Sequence, residues 1–364
     1  MPRRTTRRRF LKTGLAAAAL GGAGYALWPK LGPYRAEAAS LRRPLATEPD
    51  LAELVRFATL APNSHNTQPW QFRLQEARVT ILPDPSRRTP VVDPDDHHLC
   101  VSLGCAGETL AVAAAARGRP ADLRVEAGDT PAVDLALGRG QVAESPLFAA
   151  IPLRQSTRSD YDGLPVAPAD LTLLERAARQ DGVSLALFTE PADREAILDH
   201  VIAGNDAQMD DAAFVDELRS WIRFSPERAL ATGDGLFSLC SGNPALPEQV
   251  GQTIFGSVFT KEAETDRYAR QVRSSAGVAV FTADRADPAH WIAVGQSFTR
   301  FALQATALGI RTAHVNQPVE VPAVREDFAR WLGVPGARSD LVVRFGRAPA
   351  MPMSLRRPVE TVLV

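Results

Sequence analysis

Two kinds of apolar run alternate along the chain, and the alternation predicts an α+β protein in two halves. In the first half, Leu51–Leu60 reads as a helix and Trp70–Leu74 and Val79–Leu82 as short strands. Leu99–Arg117 then reads as a long helix ended by Gly118, with Leu123–Val125 and Val133–Leu137 as further strands. In the second half, Pro168–Gln180 reads as a helix, Val183–Phe188 as a strand and Asp193–Met209 as a helix. Ala276–Phe281 is a continuous small and apolar run, the pattern of a buried strand. His290–Leu308 is a long helix with Gly309 in the position after its end, where left-handed backbone is favoured, and Leu341–Phe345 is a last core strand.

The two long helices resemble each other. Each carries an early glycine (Gly104, Gly295), apolar residues at helical spacing, small residues late, and a terminal glycine with an arginine one or two positions beyond it. Small residues on a helix face permit close packing, which is reason enough for them; a repeat of this length also signals internal duplication. Between the repeated elements lies an excursion, residues 204–273, holding Trp221, Phe224, the Gly233-Asp234-Gly235 run and Phe255 to Phe259.

The first 39 residues are set apart by composition. Arg3, Arg4 and the run Arg7-Arg8-Arg9-Phe10-Leu11-Lys12 precede a moderately apolar stretch, Gly14–Trp28, and Ala36-Glu37-Ala38 offers a small-x-small cleavage site. The order Arg-Arg-x-Phe-Leu-Lys looks like a twin-arginine export signal, which implies the twin-arginine translocase as a partner and a periplasmic or cell-envelope location, membrane-tethered if the signal is retained. A stretch of this length falls short of the roughly 20 residues that span a bilayer comfortably. Without residues 1–39 the chain has 33 basic and 41 acidic side chains, a net charge of −8, which argues against a nucleic-acid partner. Three cysteines, Cys100, Cys105 and Cys240, make no disulfide framework and are expected as buried free thiols. His97-His98 with Cys100 lacks zinc spacing, so no metal site is expected. There is no Gly-x-Ser-x-Gly elbow and no Gly-x-Gly-x-x-Gly fingerprint after a strand.

The candidate chemistry lies in residues 61–70, Ala-Pro-Asn-Ser-His-Asn-Thr-Gln-Pro-Trp. Pro62 stops the preceding helix and stiffens the loop. Asn63, Ser64, Asn66, Thr67 and Gln68 then offer donors and acceptors together, which suits a heterocycle with an alternating hydrogen-bonding edge. A polar helix-to-strand turn would use the same residue types.

The segment resembles the nitroreductase-family signature, in which a helix runs into Ala-Pro-Ser-x-x-Asn-x-Gln-Pro-Trp-x-Phe and a strand. This chain has Asn63 where serine is usual and continues Gln71-Phe72-Arg73-Leu74. The resemblance extends over roughly residues 45–360, more weakly between 205 and 270, and with the export signal points to the Acg-like branch. It implies a nitroreductase-like fold in which both protomers of the usual homodimer are fused into a single-chain pseudo-dimer acting as a monomer. The implied divisions are a targeting segment (1–39), a first half (40–150), and a second half (151–364) with a lid-like insertion at about 204–273.

The resemblance also implies FMN, held by Pro62, Asn63, Ser64, His65, Asn66 and Gln68 of the loop. A second contribution comes from Arg154, Gln155, Ser156 and Arg158, which match the family's Arg-x-Ser-x-Arg segment. Alternating Arg and Ser can bind phosphate or place a cation near the flavin. His314, Val315, Asn316, Gln317 and Pro318 match the segment that follows the second central helix, and Arg356 and Arg357 match the closing basic motif that reaches the phosphate. Arg87 and Arg88 are weaker candidates. No second Asn-x-Gln-Pro-Trp loop occurs in the later half, so one FMN site per chain is expected. Trp221 and Phe224 are expected nearest the isoalloxazine, in a lid or in a packing layer.

The implied function is two-electron transfer through flavin N5 to a nitroaromatic or quinone-type acceptor, with no catalytic side chain required. The donor would be reduced nicotinamide or, given export, another reductant. The alternative is an FMN-holding protein with a closed lid and little turnover.

Overall fold

The computed structural model describes residues 30–126 and 130–364, so the arginine-rich run and the apolar stretch behind it lie outside the described residues. The first described helix, α1 (Gly32–Leu41), buries Tyr34, Ala38 and Leu41. Tyr34 packs on Phe237 with ring centroids 4.6 Å apart and donates a hydrogen bond to the Met353 carbonyl at 2.8 Å. The boundary set at residue 39 therefore falls inside a packed helix, and the residues just ahead of it belong to a hydrophobic cluster with Cys240 and Leu355.

Asp50 caps α2 (Leu51–Ala58) by accepting from the Glu53 N–H at 2.8 Å, and Leu54, Val55, Phe57 and Ala58 face the core. Strands β1 (Trp70–Gln75) and β2 (Arg78–Pro83) pair antiparallel across a two-residue turn, Gln75 opposite Arg78. The long α3 (His97–Ala115) follows, its first turn held by the Asp93 carboxylate, which accepts from the His98 and Leu99 N–H groups. β3 (Ala121–Glu126) and β4 (Ala132–Leu137) complete an antiparallel sheet of order β1-β2-β4-β3. β3 alternates half-buried and exposed residues, as a strand with one solvated face does. Helix α4 (Pro146–Ala150) then leads into the second half.

The second half opens with α5 (Pro168–Ala177) and β5 (Val183–Phe188). Where the first half has a turn, residues 189–276 intervene. They form α6 (Pro191–Asp210), α7 (Ala212–Trp221), the short strands β6 (Ile222–Arg223) and β7 (Leu236–Phe237) on either side of α8 (Pro226–Thr232), then α9 (Glu248–Val258) and α10 (Lys261–Arg273). The sheet resumes with β8 (Gly277–Ala283). After α11 (Pro288–Ala307) come β9 (Arg311–His314), α12 (Gln317–Glu320), α13 (Pro322–Trp331) and β10 (Ser339–Gly346). Its order is β5-β8-β10-β9, antiparallel throughout.

β10 is buried along its whole length because this sheet is covered on both faces. Ala279, Phe281, Val343 and Phe345 join the central helices in one core. Val278, Val280 and Val342 join Ile197, Val201, Val272 and Phe328 in a second.

Helices α3 and α11 pack against each other at the two glycines. A Cβ on Gly104 would stand 2.0 Å from the Ile292 carbonyl oxygen, and one on Gly295 would stand 2.1 Å from that of Val101. Only hydrogen fits there, so the backbones approach to a distance any other residue forbids. Each sheet also gains an edge bridge from distant chain: Ser156 lies beside Thr312 of β9, and Leu363 beside Phe72 of β1.

Candidate functional site

The loop after α2 is the most strained stretch of backbone described. His65, Asn66 and Gln68 all have positive φ (46°, 54° and 54°), although none is glycine. Such conformations cost of order 1–3 kcal/mol each and persist only where the surroundings dictate them. Here the surroundings are hydrogen bonds. Asn63 Oδ1 accepts from the Gln68 N–H at 2.9 Å. Asn66 Nδ2 donates to the Gly235 carbonyl at 3.0 Å, and Gln68 Nε2 to that of Gly233 at 2.9 Å. Gln68 Oε1 accepts from the Arg357 N–H at 2.8 Å. Both glycines sit at positive φ, and Gly235 lies so close to the Trp221 carbonyl that a Cβ would stand 2.4 Å away. The Gly233-Asp234-Gly235 run, expected in a lid, is thus the clamp of this loop, tied further by the Arg87–Asp234 and Arg223–Asp234 ion pairs.

The loop opens onto a cavity of about 430 Å³, within the range of ligand sites, with walls from both halves. Pro62, Asn63, Ser64 and His65 form one wall with His98, Ser102 and Cys105 of α3. Arg158, His314, Asn316, Gln317 and Glu320 form another, and α10 closes one end with Arg267, Tyr268 and Gln271. Over these lies an apolar roof of Phe214, Leu218, Phe224, Leu246, Phe255 and Phe259.

Among the described residues the Arg158 guanidinium has neither an ion pair nor a hydrogen bond to protein, although it lines the cavity. In the same walls, His65 Nδ1 and Gln317 Oε1 are buried without a hydrogen-bond partner. Burial pushes His65 down to about 4, and burial with the neighbouring Arg158 pushes His314 down to about 3, so both rings are neutral near pH 7. His98 behaves differently. Burial pulls it down, but the Glu320 carboxylate 3.4 Å away and Asp93 outweigh that and raise it. Burial raises Glu320, yet His98 and the Gln208 amide, which donates at 2.7 Å, hold it below the usual carboxylate value. His97, beside it on α3, points elsewhere and pairs with the buried Asp340 at 2.8 Å. All three cysteines are buried free thiols, and burial pushes Cys105, in the cavity wall, up to about 12.

Several expected site residues stand outside the walls, each for a definite reason. Arg356, expected at a phosphate, is buried and spends its donors on the Thr59, Leu60 and Ala61 carbonyls and on Asn66 Oδ1. Arg154 also donates to the Leu60 carbonyl, at 2.9 Å. These two cations gather the carbonyls of the turn that follows α2, Thr59 to Ala61, and so fix the chain where the strained loop begins. Arg357 reaches Asp84 and the Thr361 carbonyl. Gln155 is committed to Met351 and Met353, and Ser156 to the β9 edge. Asn66 and Gln68 shape the loop from behind. Val315 is core, and Pro318 starts α12. Trp221 lies against the Arg87 and Arg223 guanidiniums, 5.6 and 5.8 Å from its ring, and only Phe224 of that pair lines the cavity.

The wall residues that sequence reading passed over are His98, Glu320 and the polar face of α10. His98 and Glu320 are 222 positions apart, and nothing local announces that they meet.

No family model matches the chain. Over 335 residues it is 26% identical to a Mycobacterium tuberculosis protein named “Putative NAD(P)H nitroreductase Rv3131”, a match spanning 86% of this chain and 91% of the relative. It is 25% identical over 335 residues to the similarly named Acg protein of the same organism, spanning 87% and 96%. Among solved structures, the FMN-dependent nitroreductase NfnB from Mycobacterium smegmatis, in complex with NADPH, matches at a TM-score of 0.37 and 13% identity over 59% of this chain and 96% of that one. That structural likeness is too loose to build upon. The sequence relatives support the nitroreductase family, the class to which the Asn-x-Gln-Pro-Trp loop points.

Proposed function

We propose that the chain is an FMN-binding oxidoreductase of the nitroreductase type, a single-chain pseudo-dimer with one complete site. The observation that carries the reading is the meeting of distant segments, 62–65, Arg158 and His314 with Asn316 and Gln317, in one cavity with a cation unpaired among the described residues. The residues present fit the group. Amide and hydroxyl side chains (Asn63, Ser64, Asn316, Gln317) face a heterocycle's edge, the apolar roof suits its flat face, and the Arg158 guanidinium suits a phosphate or a reduced, anionic ring.

When bound, FMN supplies two-electron transfer by accepting and passing on hydride; the protein's part is binding, orientation and electrostatics. Arg158 stabilises the negative charge, and neutral His65 and His314 add none against it. The roof excludes water. The acceptor is a nitroaromatic or quinone-type molecule, and the donor is reduced nicotinamide or, after twin-arginine export to the cell envelope, another reductant. Identical strand order in the two sheets, with a long helix in the same place in each, supports the duplication.

The test is an absorbance spectrum of the purified protein followed by anaerobic NADPH. One flavin per chain that bleaches within seconds is the expected result. A flavin that stays oxidised with NADPH, NADH and a quinol, while dithionite bleaches it, would remove the reductase half of the proposal. No flavin after reconstitution with FMN would remove all of it.

A further inference from the structure

We infer that Arg344 is a positioning residue: a second, fully buried cation whose task is to hold the backbone around Arg158 so that its guanidinium enters the cavity. The inference rests on the flavin reading of that cavity.

Arg344 lies in the middle of β10 with none of its surface exposed. A guanidinium in a sheet interior is costly unless its donors are used, and ordinarily a carboxylate uses them. Among the described residues Arg344 has no carboxylate partner; its hydrogen bonds go to neutral oxygens. Nη2 donates to the Thr157 carbonyl at 3.1 Å and to the Ser159 carbonyl at 2.9 Å, the residues on either side of Arg158. Nη1 donates to the Gln271 carbonyl at 3.3 Å and approaches Ser275 Oγ at 3.5 Å. The plane of the fork lies over the Tyr161 ring, 4.1 Å from its centre, a favourable place for a cation.

The carbonyl between, that of Arg158, is held by Gln271, whose own carbonyl accepts from Arg344. Gln271 Nε2 donates to it at 2.6 Å, and Tyr161 Oη donates to the Thr157 carbonyl at 3.0 Å. Three consecutive carbonyls are therefore fixed by Arg344, Gln271 and Tyr161, all anchored in β10, α10 or the segment itself. The Arg158 side chain, by contrast, is held by no group among the described residues and lines the cavity. A rigid backbone under a free cation is the arrangement expected where the partner of that cation arrives from outside. Lysine could not reproduce it, because the planar fork puts Nη2 on the two flanking carbonyls and Nη1 on the Gln271 carbonyl at once.

The experiment is a double-mutant cycle on the full chain, Arg344→Met with Arg158→Ala, reading dissociation constants for FMN and for riboflavin and the midpoint potential of bound flavin. Arg158→Ala is expected to weaken FMN relative to riboflavin by about tenfold or more if the guanidinium meets the phosphate, since hydrogen bonds to charged groups are worth that much. If it meets the ring, the potential falls instead. Arg344→Met is expected to move the same quantity in the same direction, to add nothing once Arg158 is gone, and to be only partly rescued by Arg344→Lys. An Arg344→Met effect that strikes FMN and riboflavin equally, leaves the potential unchanged and adds in full to Arg158→Ala overturns the positioning role alone. No change of ratio or potential in Arg158→Ala sinks the flavin reading of the cation itself. Should Arg344→Met not fold, Gln271→Leu removes the bond to the Arg158 carbonyl and is expected to shift the same readout; if it does not, the inference falls.

Discussion

The two sheets share one strand order, and the second half departs from the first mainly in what it places between its first two strands. In the first sheet that connection is two residues, Glu76 and Ala77; in the second it is residues 189–276. The consequences follow from burial. β4, which takes the place of β10 in the first sheet, is buried at all but one position, and β10 at every position, covered by α11 and by the inserted α6 and α10. The inserted chain also roofs the cavity, clamps the strained loop through Gly233 and Gly235, and holds the Arg158 carbonyl through Gln271. The first half supplies the strained loop and has no counterpart of the roof. The shared strand order sets the frame, and the site is made where the halves differ.

The comparison breaks most severely at the seam the halves share. Gly104→Ala drives a methyl into the Ile292 carbonyl, and neither helix can yield without moving its sheet. Overpacking of this kind costs about 3 kcal/mol, to be read as a lowered urea midpoint; an unchanged midpoint would show that the helices slide independently.

Arg356→Met separates loop from frame. It leaves the carbonyls of the turn after α2 and Asn66 Oδ1 without their cation, at a cost of about 2 kcal/mol. A loss of flavin affinity larger than that stability loss implies is the expected sign that Arg356 shapes the strained loop. Smaller again is the contrast within the roof. Phe224→Ala is expected to weaken bound flavin by about tenfold through lost apolar contact, and Trp221→Phe to leave it unchanged, because only Phe224 lines the cavity. Equal effects would return Trp221 to the site.

The gentlest probe is pH. His65 and His314 are pushed down to about 4 and about 3 by burial, against an ordinary value near 6.5. Below 6.5 the unfolded chain binds protons that the folded chain refuses, so the stability these neutral rings confer is complete above that pH and drains as pH falls toward 4. The thermal midpoint should fall by several degrees over that interval, and less in His314→Gln.

The long helices and seven of the strands were legible because their apolar periods are regular, and the two early glycines marked the crossing point of α3 and α11. Helix α1 was not, because its alanines and nearby arginines read as the end of a leader. Nor was the loop's strain legible: His65, Asn66 and Gln68 carry no glycine to announce positive φ. Sequence showed charge at Arg154, Arg158, Arg344 and Arg356 but not its direction. Three of the four turn to backbone carbonyls and only Arg158 to the cavity, a choice made by long-range packing.

The docking of α1 has a kinetic consequence. Proteases take extended, exposed chain, whereas Ala38 is buried within a helix that Tyr34 pins to Met353 and Phe237. Scission there can proceed only through the fraction of molecules in which α1 has unwound, so its rate is set by a local opening equilibrium. Tyr34→Ala is accordingly expected to hasten cleavage after Ala38 by a signal peptidase, followed by intact mass; equal rates would mean that the helix opens freely. In the folded chain, Ala36-Glu37-Ala38 lies inside a docked helix, where an extended substrate conformation is denied to it.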